Sequence, residues 1–214
     1  MSKVKAVFFD FGGVFTDSPF HAVHSYGQGI GATEKQIIEI VFGGYGDDGA
    51  HPWHKVERGE ISLEATRDEI LLLGREQGLE VDIYDVFMAM AANGGGLRDN
   101  LVEYTAKIKG AGLITGIITN NVLEFKDHWR SMLAVEELFD FVVDSSEVGM
   151  RKPNPDIFHH ALALAGVDAG EAIFLDDFLG NVQAAQALDI TAIHVDGDGK
   201  KTVTDLDKYL GLQR

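Results

Sequence analysis

The apolar positions of this chain follow two different patterns. From residue 97 onward, short apolar runs alternate with stretches whose apolar positions recur every three or four residues. Leu97, Leu101, Tyr104 and Ile108 share one side of a helix over about 97–111. A strand over 113–119 follows, then a helix near 124–133, a strand over 139–144 and a helix near 155–165. A strand over 172–176, a helix over 181–188 and a strand over 191–195 complete the series. One more strand is predicted near residues 3–10, carrying the apolar run Val4 to Phe9. Alternation of this kind builds a parallel, doubly wound sheet, and continuous apolar runs are what strands covered on both faces require. The expected fold class is α/β.

The stretch between the first strand and this alternation reads as helices separated by glycine-rich turns, with no β-type alternation. Thr33-Glu34-Lys35-Gln36 fits a capping box opening a helix with Ile37, Ile38, Ile40 and Val41 on its apolar side. Ser62 caps a second helix carrying Ala65, Ile70 and Leu72, and a third covers about 83–92 before Gly94-Gly95-Gly96. Residues 17–97 are therefore predicted to be a helical insertion, and 1–16 with 98–214 the parallel-sheet core. No internal repeat or low-complexity tract interrupts either part.

Composition narrows the partners. The 34 acidic against 18 basic residues give a net charge of −16, which argues against nucleic acid or an anionic membrane, since both need a basic footprint. Within 17–97 the balance is 14 acidic to five basic residues. That field disfavours polyanionic ligands. Cysteine is absent, so disulfides, thiolate nucleophiles and sulfur-ligated metals are excluded. No window approaches the roughly 20 apolar residues of a membrane span. Met-Ser-Lys-Val-Lys runs into the first strand without a signal-peptide stretch, so the expectation is a soluble, cytoplasmic protein.

Two of the apolar runs end in acids. Val4–Phe9 stops at Asp10 and turns at Gly12-Gly13; Ala172–Leu175 stops at Asp176-Asp177. In open α/β sheets ligands bind at the carboxyl edge of the strands. Three carboxylates at that edge repel one another unless a cation sits among them. Mg²⁺, a hard ion that takes oxygen ligands and leaves positions open for phosphate, suits such a set.

Four strand-end segments occur in order: Asp10-Phe11-Gly12-Gly13-Val14, Thr119-Asn120-Asn121, Arg151-Lys152-Pro153 and Asp176-Asp177. With this set the chain resembles the haloacid dehalogenase-like hydrolase superfamily, most of whose members are Mg²⁺-dependent phosphatases. The helical insertion stands where that family carries its first cap domain. Gly149-Met150-Arg151-Lys152-Pro153 and Phe174-Leu175-Asp176-Asp177 are most similar to the branch holding the phosphatase domain of soluble epoxide hydrolases and bacterial α-glucose-1-phosphate phosphatases.

Phosphoryl transfer gives each segment a task. Asp10 is the expected nucleophile, since a carboxylate can attack phosphorus and form an aspartyl-phosphate that water later hydrolyses. Thr119 offers a hydroxyl and Asn120 an amide to phosphate oxygens. Backbone N–H groups around Phe11 and Gly12 can hold the same group, and Lys152 brings a compact positive charge to phosphate and nucleophile. Arg151 is expected at the surface. The resemblance further implies that Asp177 ligates the metal directly alongside Asp10, that Gly12 contributes its carbonyl, and that Asp176 acts through the outer sphere. The expected substrate is a small phosphomonoester, with a sugar phosphate as one candidate.

Gly12 departs from the family pattern, which places a second aspartate there as general acid and base. Asp17 and Asn121 are the nearby candidates for that role. Without an acid, substrates whose leaving oxygen departs easily (anomeric, acyl or aryl) are expected to be favoured over alkyl phosphates. Two rival readings follow from the same glycine: a metal-independent dehalogenase, and a phosphate-binding domain without turnover. The histidines His21, His24, His51 and His54 lack the local spacing of a zinc motif and read as surface or pocket residues. Trp53 is expected either in the core of the insertion or at its pocket.

Overall fold

The computed structural model describes residues 3–18, 21–92 and 96–212. Five parallel strands form one sheet: β1 (Ala6–Phe9), β2 (Ile114–Thr119), β3 (Phe141–Asp144), β4 (Ala172–Asp176) and β5 (Thr191–His194), in the order β3-β2-β1-β4-β5. β1 is central, and its four residues are all fully buried because helices cover both faces. The pleat sends Val7 and Phe9 to one side and Ala6 and Phe8 to the other. Each large side chain so buried contributes about 1.5–3 kcal/mol.

On the Val7/Phe9 side lie α6 (Asp99–Gly110) and α12 (Gly199–Leu210), through Leu101, Tyr104, Ile108, Val203 and Leu206. On the opposite face lie α10 (Pro155–Ala165) and α11 (Leu179–Gln186), through Ile157, Phe158, Ala161 and Ala185. The α/β expectation is met. α10 and β4 have the bounds that the periodicity predicts. The helix predicted near 124–133 is instead a 3₁₀ turn at Leu123–Phe125 followed by α7 (Lys126–Ser131), and two short helices, α8 (Val135–Leu138) and α9 (Ser145–Val148), flank β3.

Between β1 and α6 the described residues form five helices: α1 (His21–Gly29), α2 (Glu34–Val41), α3 (Pro52–Glu57), α4 (Leu63–Glu76) and α5 (Ile83–Ala92). They pack about an apolar cluster of their own, including Val23, Ile37, Ile40, Phe42, Trp53, Val56, Ile70 and Val86, which Val122 joins from beyond β2. Trp53 is thus a core residue. The capping box at α2 forms as expected: Gln36 N–H donates to Thr33 Oγ1 at 3.2 Å and Thr33 N–H to Gln36 Oε1 at 3.0 Å. Ser62 caps α4 through Ala65 N–H at 3.2 Å. Leu72, expected on the apolar side of α4, is exposed, because the buried face runs through Leu63, Thr66, Ile70 and Gly74. Among the described residues, no helix is long and apolar enough to cross a membrane.

Register decides what meets at the carboxyl edge. Phe9 pairs with Leu175, so Asp10 stands level with Asp176 on the adjoining strand. Phe9 also pairs with Ile117, which brings Thr119 to the same edge from the other side.

Candidate active site

Asp10, Asp176 and Asp177 each offer a carboxylate oxygen, and these oxygens lie within 4.8 Å of one another. One ammonium reaches into the cluster. Lys152 Nζ is 3.0 Å from Asp10 Oδ1 and 2.7 Å from Asp176 Oδ2, with its side chain 1 % exposed. Burial works against that charge, but Asp10 and Asp176 outweigh it and hold Lys152 above its ordinary pKa. Burial pushes Asp10 up to about 6 against the pull of Lys152, with Asp176 adding to the rise. Asp176 and Asp177 are raised by burial as well. A single lysine among three carboxylates leaves a net negative charge, so this set of hard oxygen donors fits a divalent cation such as Mg²⁺.

The two adjacent aspartates live in different surroundings. Asp176 is fully buried and saturated by the chain itself: Lys152 Nζ and Asn181 Nδ2 donate to it, and Phe178 N–H donates to Oδ1 at 2.7 Å. Asp177 is half-buried and takes a hydrogen bond from the Ser18 side chain. It borders a cleft of about 200 Å³ lined by Gly13, Ser18, Arg98, His194 and Gly197. Its carboxylate lies against Gly13, where an added Cβ would come within 2.0 Å of Asp177 Cγ; φ at Gly13 is +75°, so both space and backbone require glycine there. His194 bonds the Asp177 carbonyl at 2.9 Å.

Lys152 is placed by Asn120. The Asn120 amide accepts from Lys152 N–H at 2.8 Å and donates to the Lys152 carbonyl at 2.9 Å, which fixes that peptide while one N–H of Nδ2 remains for a ligand. The Phe11 N–H donates to Asp10 Oδ1 at 2.7 Å, so this amide serves the aspartate. Thr119 is buried at the end of β2, and Gly12 lies half-buried in the turn after β1.

The suggested substitutes for the missing aspartate are otherwise engaged. Asn121 Nδ2 donates to Asp144 Oδ2 at 2.9 Å, and Asp17 Oδ1 pairs with Arg98 Nη2 at 3.2 Å in an exposed position. His51 accepts from Trp53 N–H at 3.2 Å as the cap of α3. His54, 2 % exposed, accepts at Nδ1 from Gly49 N–H (3.0 Å) and faces the Phe42 carbonyl with Nε2 (3.1 Å). These two are structural; the side chains of His21 and His24 lie outside the described residues.

Arg151 corrects the sequence reading. It is fully buried, not on the surface, because it meets a buried acid from the helical block: its Nε donates to Glu57 Oε2 at 2.7 Å. Nη1 donates to the Asp47 carbonyl, and the guanidinium lies 5.5 Å from the centre of the Tyr45 ring. Asn154 Nδ2 reaches Asp48 Oδ2 at 2.8 Å from the same segment. A four-residue stretch thus holds the lysine at the carboxyl edge of the sheet and grips the loop between α2 and α3. Sequence reasoning also missed Asn181; its place five residues after Asp176, on the first turn of the next helix, was the available signal.

The model of the haloacid dehalogenase-like hydrolases matches residues 4–189 of the chain. Rat bifunctional epoxide hydrolase 2 is 34% identical over 76% of this chain, which spans 31% of that enzyme's length. A sesquiterpene phosphatase of Aspergillus oryzae is 29% identical over 97% of both chains. Among solved structures, a HAD family enzyme of Bacteroides thetaiotaomicron in complex with magnesium and inorganic phosphate superposes with a TM-score of 0.60 at 22% identity, over 89% of this chain and 93% of that one. With the sheet order, the acid cluster and a match over most of its length in agreement, the chain belongs to the haloacid dehalogenase-like hydrolase family.

Proposed function

We propose that the protein is a Mg²⁺-dependent phosphatase of small phosphomonoesters that works through an aspartyl-phosphate on Asp10. The observation that carries this reading is the cluster of Asp10, Asp176 and Asp177 with Lys152 inserted between the first two. Asp10 and Asp177, with the Gly12 carbonyl, would hold the cation, and Asp176 would act behind them, since its oxygens are already taken by Lys152, Phe178 and Asn181. The bound ion would offset the negative charge of phosphate and carboxylates, letting two anions meet. The named phosphatase in the fungal relative and the magnesium and phosphate in the Bacteroides neighbour support the same assignment.

The chain's own residues divide the remaining work. Asp10 Oδ1, gripped by Lys152 Nζ and Phe11 N–H, cannot swing, so the carboxylate is presented in one orientation for attack on phosphorus. Lys152, Thr119 and Asn120 would bind the equatorial oxygens. The helical block of 17–97 would act as a cap that excludes water. A metal-independent dehalogenase has one observation in its favour, the absence of a carboxylate at Gly12, but it leaves the charge of Asp176 and Asp177 only partly balanced by Lys152. Turnover of an aryl phosphate with Mg²⁺, its loss on chelation and its return on adding Mg²⁺ are the expected results. Activity on a 2-haloacid that survives chelation would replace this reading.

A further inference from the structure

Gly12 leaves the proposed reaction without its usual proton donor, and the helical block brings a tyrosine against the residue that follows Asp177. Tyr45 sits in the loop between α2 and α3. Its ring meets Phe178, the residue after Asp177, edge to face at 4.9 Å between centroids. On another side the Arg151 guanidinium lies 5.5 Å from the ring centre. The loop is tied down just beyond Tyr45, where the Asp47 carbonyl accepts from Arg151 and the Asp48 carboxylate from Arg58 and from Asn154. Tyr45 is thus a side chain of the helical block held against the acid-bearing edge of the sheet. A nucleophile on that edge expels its leaving group in line, away from the sheet and toward the block.

We propose that Tyr45 donates the proton to the leaving-group oxygen, in place of the carboxylate that Gly12 cannot supply. The inference rests on the phosphatase reading. Asp10 attacks phosphorus, the bond from phosphorus to the leaving oxygen breaks with its electron pair on that oxygen, and the Tyr45 phenolic proton moves to it. In the second step water attacks the aspartyl-phosphate, its proton returns to the Tyr45 oxygen, and inorganic phosphate and the Asp10 carboxylate are released. A phenol keeps its proton at neutral pH and gives it up most readily to a strongly basic oxygen. Alkoxides qualify; the phenolate of an acidic phenol does not need it.

Tyr45→Phe removes the hydroxyl and keeps the ring against Phe178 and Arg151. The test measures single-turnover release of the leaving group, which reports the first step alone, by wild type and Tyr45→Phe across phosphate esters from nitrophenyl to alkyl, with Mg²⁺. The variant is expected to lose on the order of 10²-fold in that rate constant on alkyl phosphates and only a few-fold on nitrophenyl phosphate, because general acid catalysis is typically worth 10²–10⁴. The loss should fall on the rate constant at saturation and leave the half-saturating concentration nearly fixed. An equal loss along the whole series, or none on alkyl esters, overturns the assignment. The wild-type nitrophenyl arm reports the phosphatase reading by itself, while the ratio of variant to wild type reports Tyr45, so the two fail separately.

Discussion

Asp176 and Asp177 are neighbours in sequence with opposite dependence on the rest of the chain. Asp176 is the acceptor for a buried ammonium, a backbone N–H and an asparagine amide. Its removal leaves Lys152 with Asp10 alone, and truncating one partner of a buried ion pair costs about 3–5 kcal/mol. Asp177 has few protein partners and is raised by burial and by the charge of Asp10. Asp176→Ala is therefore expected to lower the melting temperature of the metal-free protein by many degrees. Asp177→Ala should leave it unchanged or raise it, while weakening Mg²⁺ binding, measured by calorimetry, far more than Asp177→Asn does. Equal melting temperatures for the two alanine variants would show that the contrast in partners carries no energy.

At the scale of elements, α3 makes one of the joins between the helical block and the sheet. Gly59, just past its end, adopts φ +67° and lies against the Ser146 carbonyl, where a Cβ would come within 2.5 Å. Glu57 on α3 pairs with Arg151, both fully buried. Glu57→Gln or Arg151→Met should each cost about 3–5 kcal/mol in denaturant unfolding, while Glu57→Leu with Arg151→Met should recover much of that loss, since a buried pair replaced by apolar groups is often neutral. Additive losses in the double variant would mean that the two side chains do not act as a pair. The same helix carries a pH signature. His54 is held down to about 4, by burial first and then by Arg151 and His51, against the opposing pull of the Phe42 carbonyl and Asp48. Its Nδ1 must stay unprotonated to accept from Gly49 N–H. Below the ordinary 6.5 the unfolded chain binds a proton that the folded chain refuses, so stability falls as pH drops from 6.5 toward 4. Replacing His54 with Gln should flatten that part of the stability profile, read from urea midpoints; an unchanged slope would remove His54 as its cause.

How far the sequence could carry these elements depended on the kind of signal. β4 and α10 were legible to the residue because their ends are marked chemically, by Asp176-Asp177 and by Asn154-Pro155. The capping box of α2 and the Ser62 cap of α4 were legible for the same reason. α12 was not predicted, although Asp198 caps its start and Val203, Leu206 and Leu210 recur at helical spacing. The acids of the site could be read from strand ends. Arg151 could not, because a charged residue reads as exposed until its partner is known, and Glu57 lies 94 positions away.

Across the whole molecule, a core with a net acid excess and a helical block of the same sign face one another around a single proposed substrate position. Of the 34 acidic residues, only the three at the sheet edge gather into a possible metal-binding group among the described residues. The remaining negative field opposes polyanions, and in the proposed reaction it would leave one phosphoryl group to be recognised by Lys152, Thr119, Asn120 and the cation. Register explains why these parts converge: β1 lies between β2 and β4, so its terminal aspartate has Thr119 on one side and Asp176 on the other.

The central claim is that Asp10 carries the phosphoryl group, and it can be measured directly. Acid quench of the Mg²⁺-loaded enzyme during turnover of an aryl phosphate, followed by borohydride reduction and peptide mass spectrometry, converts an aspartyl-phosphate to homoserine. Homoserine is expected at position 10, with no reduction elsewhere, and Asp10→Asn should show neither the modification nor turnover while keeping its circular dichroism spectrum. Homoserine at another aspartate, or an Asp10→Asn variant retaining more than about one part in ten of the wild-type rate, would contradict the account.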